Sequence, residues 1–109
     1  AARLSFCLVN EGVELCAFGQ CLEKAGRCHL SRLIVDPAKR GQGLGNLLTT
    51  QLVQAGSQAL GLDECALYVL RSNHAALQCY QQLGFREAPM IEEGRRFGPE
   101  VAYLVLDSK

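Results

Sequence analysis

The chain has 109 residues, 49% hydrophobic and 20% charged, which suits one folded domain with its own core and excludes a disordered tail. Eleven basic residues balance eleven acidic ones, so global charge supplies no attraction to nucleic acid or to an anionic membrane surface. No apolar run approaches the roughly 20 residues of a membrane span, and no signal-peptide pattern follows Ala1-Ala2-Arg3-Leu4.

Residues 3–9, RLSFCLV, read as a strand, and Asn10-Glu11-Gly12 reads as a turn. Val13 to Leu22 is a second extended run, in which Gly19 marks a bulge or a close approach. Glu23 to Arg27 is a polar turn containing Gly26. Cys28 to Val35, CHLSRLIV, is a third strand closed by Asp36-Pro37, and the three strands form an antiparallel meander. Period-two alternation puts His29, Ser31, Leu33 and Val35 on one face. From Leu44 the rhythm changes: apolar positions at 44, 47, 48, 52, 55, 59 and 60 follow the period of an amphipathic helix that Gly61 ends.

Glu64 to Leu70, ECALYVL, is a fourth strand, almost wholly apolar and therefore central. Ser72 or Asn73 caps a second helix with apolar positions at 76, 77, 80 and 83, and Gly84 ends it with Phe85 in contact. Arg86 to Ile91 is a short strand, Glu92 to Pro99 a polar loop, and Val101 to Leu106 the last strand. The order β-β-β-α-β-α-β-β predicts an α/β (α+β) fold with a mixed, mostly antiparallel central sheet. It reads as a single domain over residues 1–109: a meander (3–36), a strand–helix core (37–85) and C-terminal strands (86–109).

Six cysteines stand at positions 7, 16, 21, 28, 65 and 79. No two are separated by only two residues, so neither a metal site nor a redox pair of that spacing is expected. Most lie in apolar runs and read as reduced core thiols of a cytoplasmic protein. The alternative is one or more disulfides among Cys7, Cys16, Cys21 and Cys28. The chain starts at Ala1 without Met, which reads as processing or as a piece of something longer.

The segment Lys39-Arg40-Gly41-Gln42-Gly43-Leu44-Gly45-Asn46 lies between the third strand and the first helix. Glycines let the backbone approach a ligand, and the unpartnered N–H groups of a helix start favour an anion. This reads as a phosphate or pyrophosphate seat, with a ligand-free glycine turn as the plain alternative. The dinucleotide pattern G-x-G-x-x-G fails: its third glycine falls on Asn46 or on Leu48. The Gly-Lys-Ser/Thr loop of ATP sites is absent too, so a nucleotide-binding domain is the weaker reading.

The second helix reads Asn73-His74-Ala75-Ala76-Leu77-Gln78-Cys79-Tyr80-Gln81-Gln82-Leu83-Gly84-Phe85. Together the two segments resemble the GNAT superfamily of N-acetyltransferases. The family's loop Arg/Gln-x-x-Gly-x-Gly/Ala is matched by Arg40, Gly43 and Gly45. Its second motif, Asn-x-x-Ala-x-x-x-Tyr-x-x-x-Gly-Phe, is matched by Asn73, Ala76, Tyr80, Gly84 and Phe85. The resemblance covers residues 3 to about 106 and implies the acyl-CoA N-acyltransferase (GNAT) fold.

It also implies acetyl transfer from acetyl-CoA, bound by the core at 37–85, to a primary amine of a small molecule or peptide. The backbone of Leu33, Ile34 and Val35 would pair with the pantetheine arm. The N–H groups of Gly41, Gln42, Gly43, Leu44, Gly45 and Asn46, with the Arg40 side chain, would hold the pyrophosphate. Asn73 would lie beside the pantetheine. Tyr80 would protonate the leaving thiolate, and without the family it would read as a core aromatic. No metal is implied.

Many family members carry Glu where Tyr68 stands here, so the base is sought elsewhere; His29 has a suitable pKa range, with a packing histidine as its bland reading. Glu92 and Glu93 could bind a cationic acceptor, or pair with Arg95 and Arg96. The family's first strand and two helices, one wall of the acceptor site, have no counterpart before Arg3. A homodimer is expected to cover the apolar sheet surface this leaves. The competing function is a non-catalytic CoA-binding or interaction module with a degenerate acceptor site.

Overall fold

The computed structural model describes residues 3–9, 15–35, 38 and 43–107. Strands β1 (Arg3–Val9), β2 (Leu15–Lys24) and β3 (Arg27–Val35) lead into helix α1 (Leu44–Leu60). Strand β4 (Glu64–Leu70), helix α2 (His74–Gln82), β5 (Arg86–Glu87) and β6 (Val101–Asp107) follow. They build one six-stranded sheet in the order β1-β2-β3-β4-β6-β5. Among the described strands only the β3–β4 pair is parallel, because α1 carries the chain back between them. All the expected elements are present in the expected order.

The β2–β3 hairpin turns on Ala25 and Gly26, both at positive φ (54° and 76°), the twist that a two-residue hairpin loop requires. The expected turn at 10–12 and the start of the second strand at Val13 lie outside the described residues. The fifth strand is two residues rather than six, and the loop expected from Glu92 holds a 3₁₀ turn, Glu92–Phe97.

Helices α1 and α2 lie on one face of the sheet. Leu48, Leu52 and Val53 of α1 pack on Ala17, Cys21, Cys28, Leu30, Cys65 and Leu67. The buried stripe of α1 is rotated from the expected one: Leu48, Thr49, Leu52, Val53, Gly56 and Ser57 face inward, whereas Leu47 is 46% exposed. The rotation follows from how closely the helix approaches the sheet. A Cβ on Gly56 would stand 2.8 Å from Cys21 Sγ and 2.9 Å from Cys28 Sγ, and one on Gly19 would stand 2.5 Å from Leu52 Cδ1. Small residues make the contact, and the two buried hydroxyls are satisfied locally. Thr49 Oγ1 donates to the Gly45 carbonyl (2.8 Å), and Ser57 Oγ shares a hydrogen bond with Cys65 Sγ (3.0 Å).

A β-bulge corrects the expected face of β3. Gln20 pairs with Ser31 but Phe18 pairs with Ile34, so Arg32 and Leu33 together stand opposite Gly19. The extra residue reverses the alternation. His29 and Ser31 stay on the face away from the helices, while Leu33 packs into the helix-side core. Of the cysteines, Cys7, Cys21, Cys28, Cys65 and Cys79 are free thiols. No helix among the described residues is long and apolar enough to cross a membrane.

Candidate active site at the split in the sheet

The parallel pair β3–β4 holds for only two register positions, Cys28 with Cys65 and His29 with Ala66. Beyond them β4 stays with β6 over its whole length, and β3 stays with β2 up to Val35. The sheet therefore divides into two halves that part from His29 onward. Among the described residues the β3 edge from Leu30 to Val35 has no strand partner on that side, which leaves main-chain donors and acceptors for an extended ligand.

The start of α1 faces the same opening. Gly43 adopts φ 74°, the left-handed region, and begins the helix without a side-chain cap. The first helical bond is donated by Leu47 N–H to the Gly43 carbonyl (3.1 Å), so the N–H groups of Leu44, Gly45 and Asn46 precede any intrahelical acceptor. Such a terminus draws an anion through its N–H groups and its dipole. Arg40, Gly41 and Gln42 lie outside the described residues.

Tyr80 comes to this place from α2. Asn73 caps that helix, its Oδ1 accepting from Ala76 N–H (3.2 Å). At the other end Gly84 takes φ 105°, and Phe85 N–H donates to the Tyr80 carbonyl (3.0 Å), which folds the Phe85 ring back onto Tyr80, with centroids 5.7 Å apart. One cavity of about 180 Å³ is lined by Leu33, Gly45, Asn46, Leu48, Ala76 and Tyr80, with Thr49 and Cys79. It thus joins residues of the β3 end, the α1 start and α2. Burial pushes the Tyr80 phenol above its ordinary pKa and keeps it protonated at neutral pH. The Asn73 amide oxygen is committed to its cap.

His29 stands where the strands part, on the face opposite the helices, and is 3% exposed. Its ring lies 4.6 Å from that of Tyr68, and its Nδ1 has no hydrogen-bond partner. Burial, then the charge of Lys24, lowers its pKa to about 4, with Glu93 opposing. His29 is therefore neutral at pH 7. Tyr68, at the position where Glu was sought, has a buried hydroxyl that also lacks a partner. Lys24 sits above the Tyr68 ring, 5.5 Å from its centroid, and pairs with Glu93 at 3.1 Å. Glu92 pairs with Arg95 at 3.4 Å. Alternation marked His29 as a face residue, but its burial against Tyr68 depends on the 3₁₀ turn packing over that face, which no local pattern announces.

Among the described residues no cluster of His, Cys, Asp and Glu is arranged to hold a metal ion. The model of the acetyltransferase (GNAT) family matches residues 1–85. A mycothiol acetyltransferase of Mycobacteroides abscessus is 47% identical over 68 residues, 62% of this chain and 22% of that protein. Another, from Thermobispora bispora, is 47% identical over 51 residues, 47% of this chain and 17% of that protein. The chain thus spans about a fifth of the length of the curated relatives it matches. Among solved structures, a Klebsiella pneumoniae protein assigned to the acyl-CoA N-acyltransferases superposes with a TM-score of 0.86 at 20% identity, covering 98% of this chain and 73% of that one. A spermidine N-acetyltransferase from Vibrio cholerae, in complex with CoA and spermine, gives 0.79 at 19% identity, covering 98% and 66%. These structures share the fold of this chain. With the split sheet, the glycine-started helix and a family match over most of its length, the chain belongs to the acetyltransferase (GNAT) family.

Proposed function

We propose that this domain transfers the acetyl group of acetyl-CoA to a primary amine. The observation that carries the reading is the convergence of the unpaired β3 edge, the α1 start and Tyr80 on one cavity. Leu33, Ile34 and Val35 offer an extended backbone edge to the amide-rich arm of the co-substrate. The α1 start, with Arg40, Gly41 and Gln42 ahead of it, is assigned the pyrophosphate. Asn73 helps to form the wall by holding the first turn of α2.

The transfer needs a neutral amine, donors for the developing oxyanion and a proton for the leaving thiolate. A lysine-like amine, with pKa about 10.4, is neutral at pH 7 only at a cost of about 4–5 kcal/mol. Main-chain N–H groups on the free β3 edge are assigned to the oxyanion. Tyr80, protonated and desolvated, is assigned the proton for the thiolate. His29 is the candidate proton acceptor because its Nδ1 is unpartnered; its lowered pKa makes it a weak base, so the amine's proton passes on from it to solvent. The names of the relatives and neighbours point to different acceptors, so the family alone does not choose one. The same reading assigns the domain to the cytoplasm as a homodimer, which sedimentation at micromolar concentration tests.

Acetyl-CoA should raise the melting temperature by ligand linkage, and free thiol should appear only when an accepted amine is present. Tyr80→Phe should slow turnover far more than it changes the thermal shift. No shift at millimolar acetyl-CoA would remove the reading. A second reading, a CoA-binding module without transfer, is favoured by Tyr68 standing where many members hold Glu. It predicts the shift without thiol release for any amine of a broad panel.

A further inference from the structure

The split in the sheet opens toward both faces. The cavity with Tyr80 lies on the helix side, and a second cavity of about 180 Å³ lies beside β4, lined by Tyr68, Val69, Leu70, Phe97 and Val101. Its lining comes from the C-terminal half of β4, the start of β6 and the 3₁₀ turn, and Tyr68 packs with the cluster on the face away from the helices. A thioester entering from the helix side would meet there an acceptor held on the other side.

The lining of this second cavity is apolar and aromatic. Two side chains of the lining are strongly exposed, Leu70 at 54% and Phe97 at 41%, and Ile34, at 57%, stands near the end of the β3 edge that parts from β4. Exposed apolar groups gathered at one place mark a binding surface. Among the described residues of the 3₁₀ turn, Glu93 pairs with Lys24 and Glu92 with Arg95. Glu100 is exposed in the turn before β6, while the Arg96 guanidinium lies over the Phe97 ring, 5.1 Å from its centroid. Among the described residues, one carboxylate against one guanidinium supplies no net attraction for a polycation.

We propose that the acceptor is a primary amine carried on an apolar, aliphatic or aromatic body that fills the Tyr68–Leu70–Phe97 cavity, and not a polyamine. The inference rests on the acetyl-transfer reading above and names the substrate class of that same site. The volume suits the body: a benzene-sized group fits an apolar cavity of about 150 Å³. The amine then projects toward the split, where the thioester carbonyl is held.

The test is thiol release from acetyl-CoA with 2-phenylethylamine, ethylamine and spermidine, run on the whole chain. The expected result is a kcat/KM for 2-phenylethylamine about tenfold or more above the other two. Phe97→Ala and Leu70→Ala should each cut that preference several-fold and leave the thermal shift by acetyl-CoA unchanged; Glu100→Gln should leave the preference intact. Leu70→Ala guards against a folding defect in Phe97→Ala. Equal or better turnover of spermidine or ethylamine overturns the proposal, as does a preference that survives both alanine variants. Turnover without preference overturns this inference alone. A thermal shift with no amine acetylated overturns acetyl transfer and this inference together.

Discussion

His29 offers a test in which the sign and the size both follow from its surroundings. The side chain is buried between β3, Tyr68 and the Lys24–Glu93 pair, and its folded pKa lies at about 4 against about 6.5 for a free imidazole. Between these values the unfolded chain binds a proton that the folded chain refuses, so stability rises with pH across the window. It is lost as pH falls from about 6.5 to about 4. The gap of about 2.5 pH units corresponds to ~3 kcal/mol. Replacing His29 by Phe keeps an aromatic ring against Tyr68 and removes the titration. Urea unfolding of both proteins at intervals from pH 7 to pH 4 reads the difference. Carboxylates contribute to both curves, so the wild-type-minus-variant slope isolates His29; it should approach ~1.4 kcal/mol per pH unit in mid-window. Equal slopes in the two proteins would refute the reasoning. If His29 also accepts the amine's proton, the acid limb of kcat/KM should fall near pH 4 rather than near 6.5.

Gly56→Ala should destabilise the fold by about 1–3 kcal/mol in the same denaturation assay, because its Cβ would press on the sulfurs of Cys21 and Cys28 beneath α1. Asn73→Ala removes the cap of α2 and should cost about 1 kcal/mol, with an added loss of turnover where Tyr80 loses its support. Gly43→Ala meets open space but places an alanine at φ 74°, so about 1–2 kcal/mol should be lost. If the α1 start seats the pyrophosphate, this variant should also weaken the thermal shift by acetyl-CoA.

The element order and most boundaries were legible because they depend on neighbours in sequence. Gly61 ends α1 at φ 68°, Asn73 caps α2, and the apolar run 64–70 fills the strand between β3 and β6. The glycine loop and the Asn73-to-Phe85 segment carried the family for the same reason: each is a local pattern with a local mechanism. Four features were decided by packing between distant elements. The bulge opposite Gly19 turned Leu33 away from the face of His29. The close approach of Gly56 to Cys21 and Cys28 rotated the buried stripe of α1. The 3₁₀ turn at Glu92–Phe97 gave His29 and Tyr68 their cover, and the parting of β3 from β4 after His29 opened the sheet.

The apolar patterning and the two motifs were thus enough to set out a folded α/β chain with a helix that starts at glycine. Only the tertiary structure decided that the α1 start and Tyr80 share one cavity, and that His29 is too well buried to carry charge at pH 7. The physical reason is that caps, turns and periodicity act within a few residues. Burial, pKa and the path between two faces of a sheet depend on side chains that sequence distance separates and folding brings together.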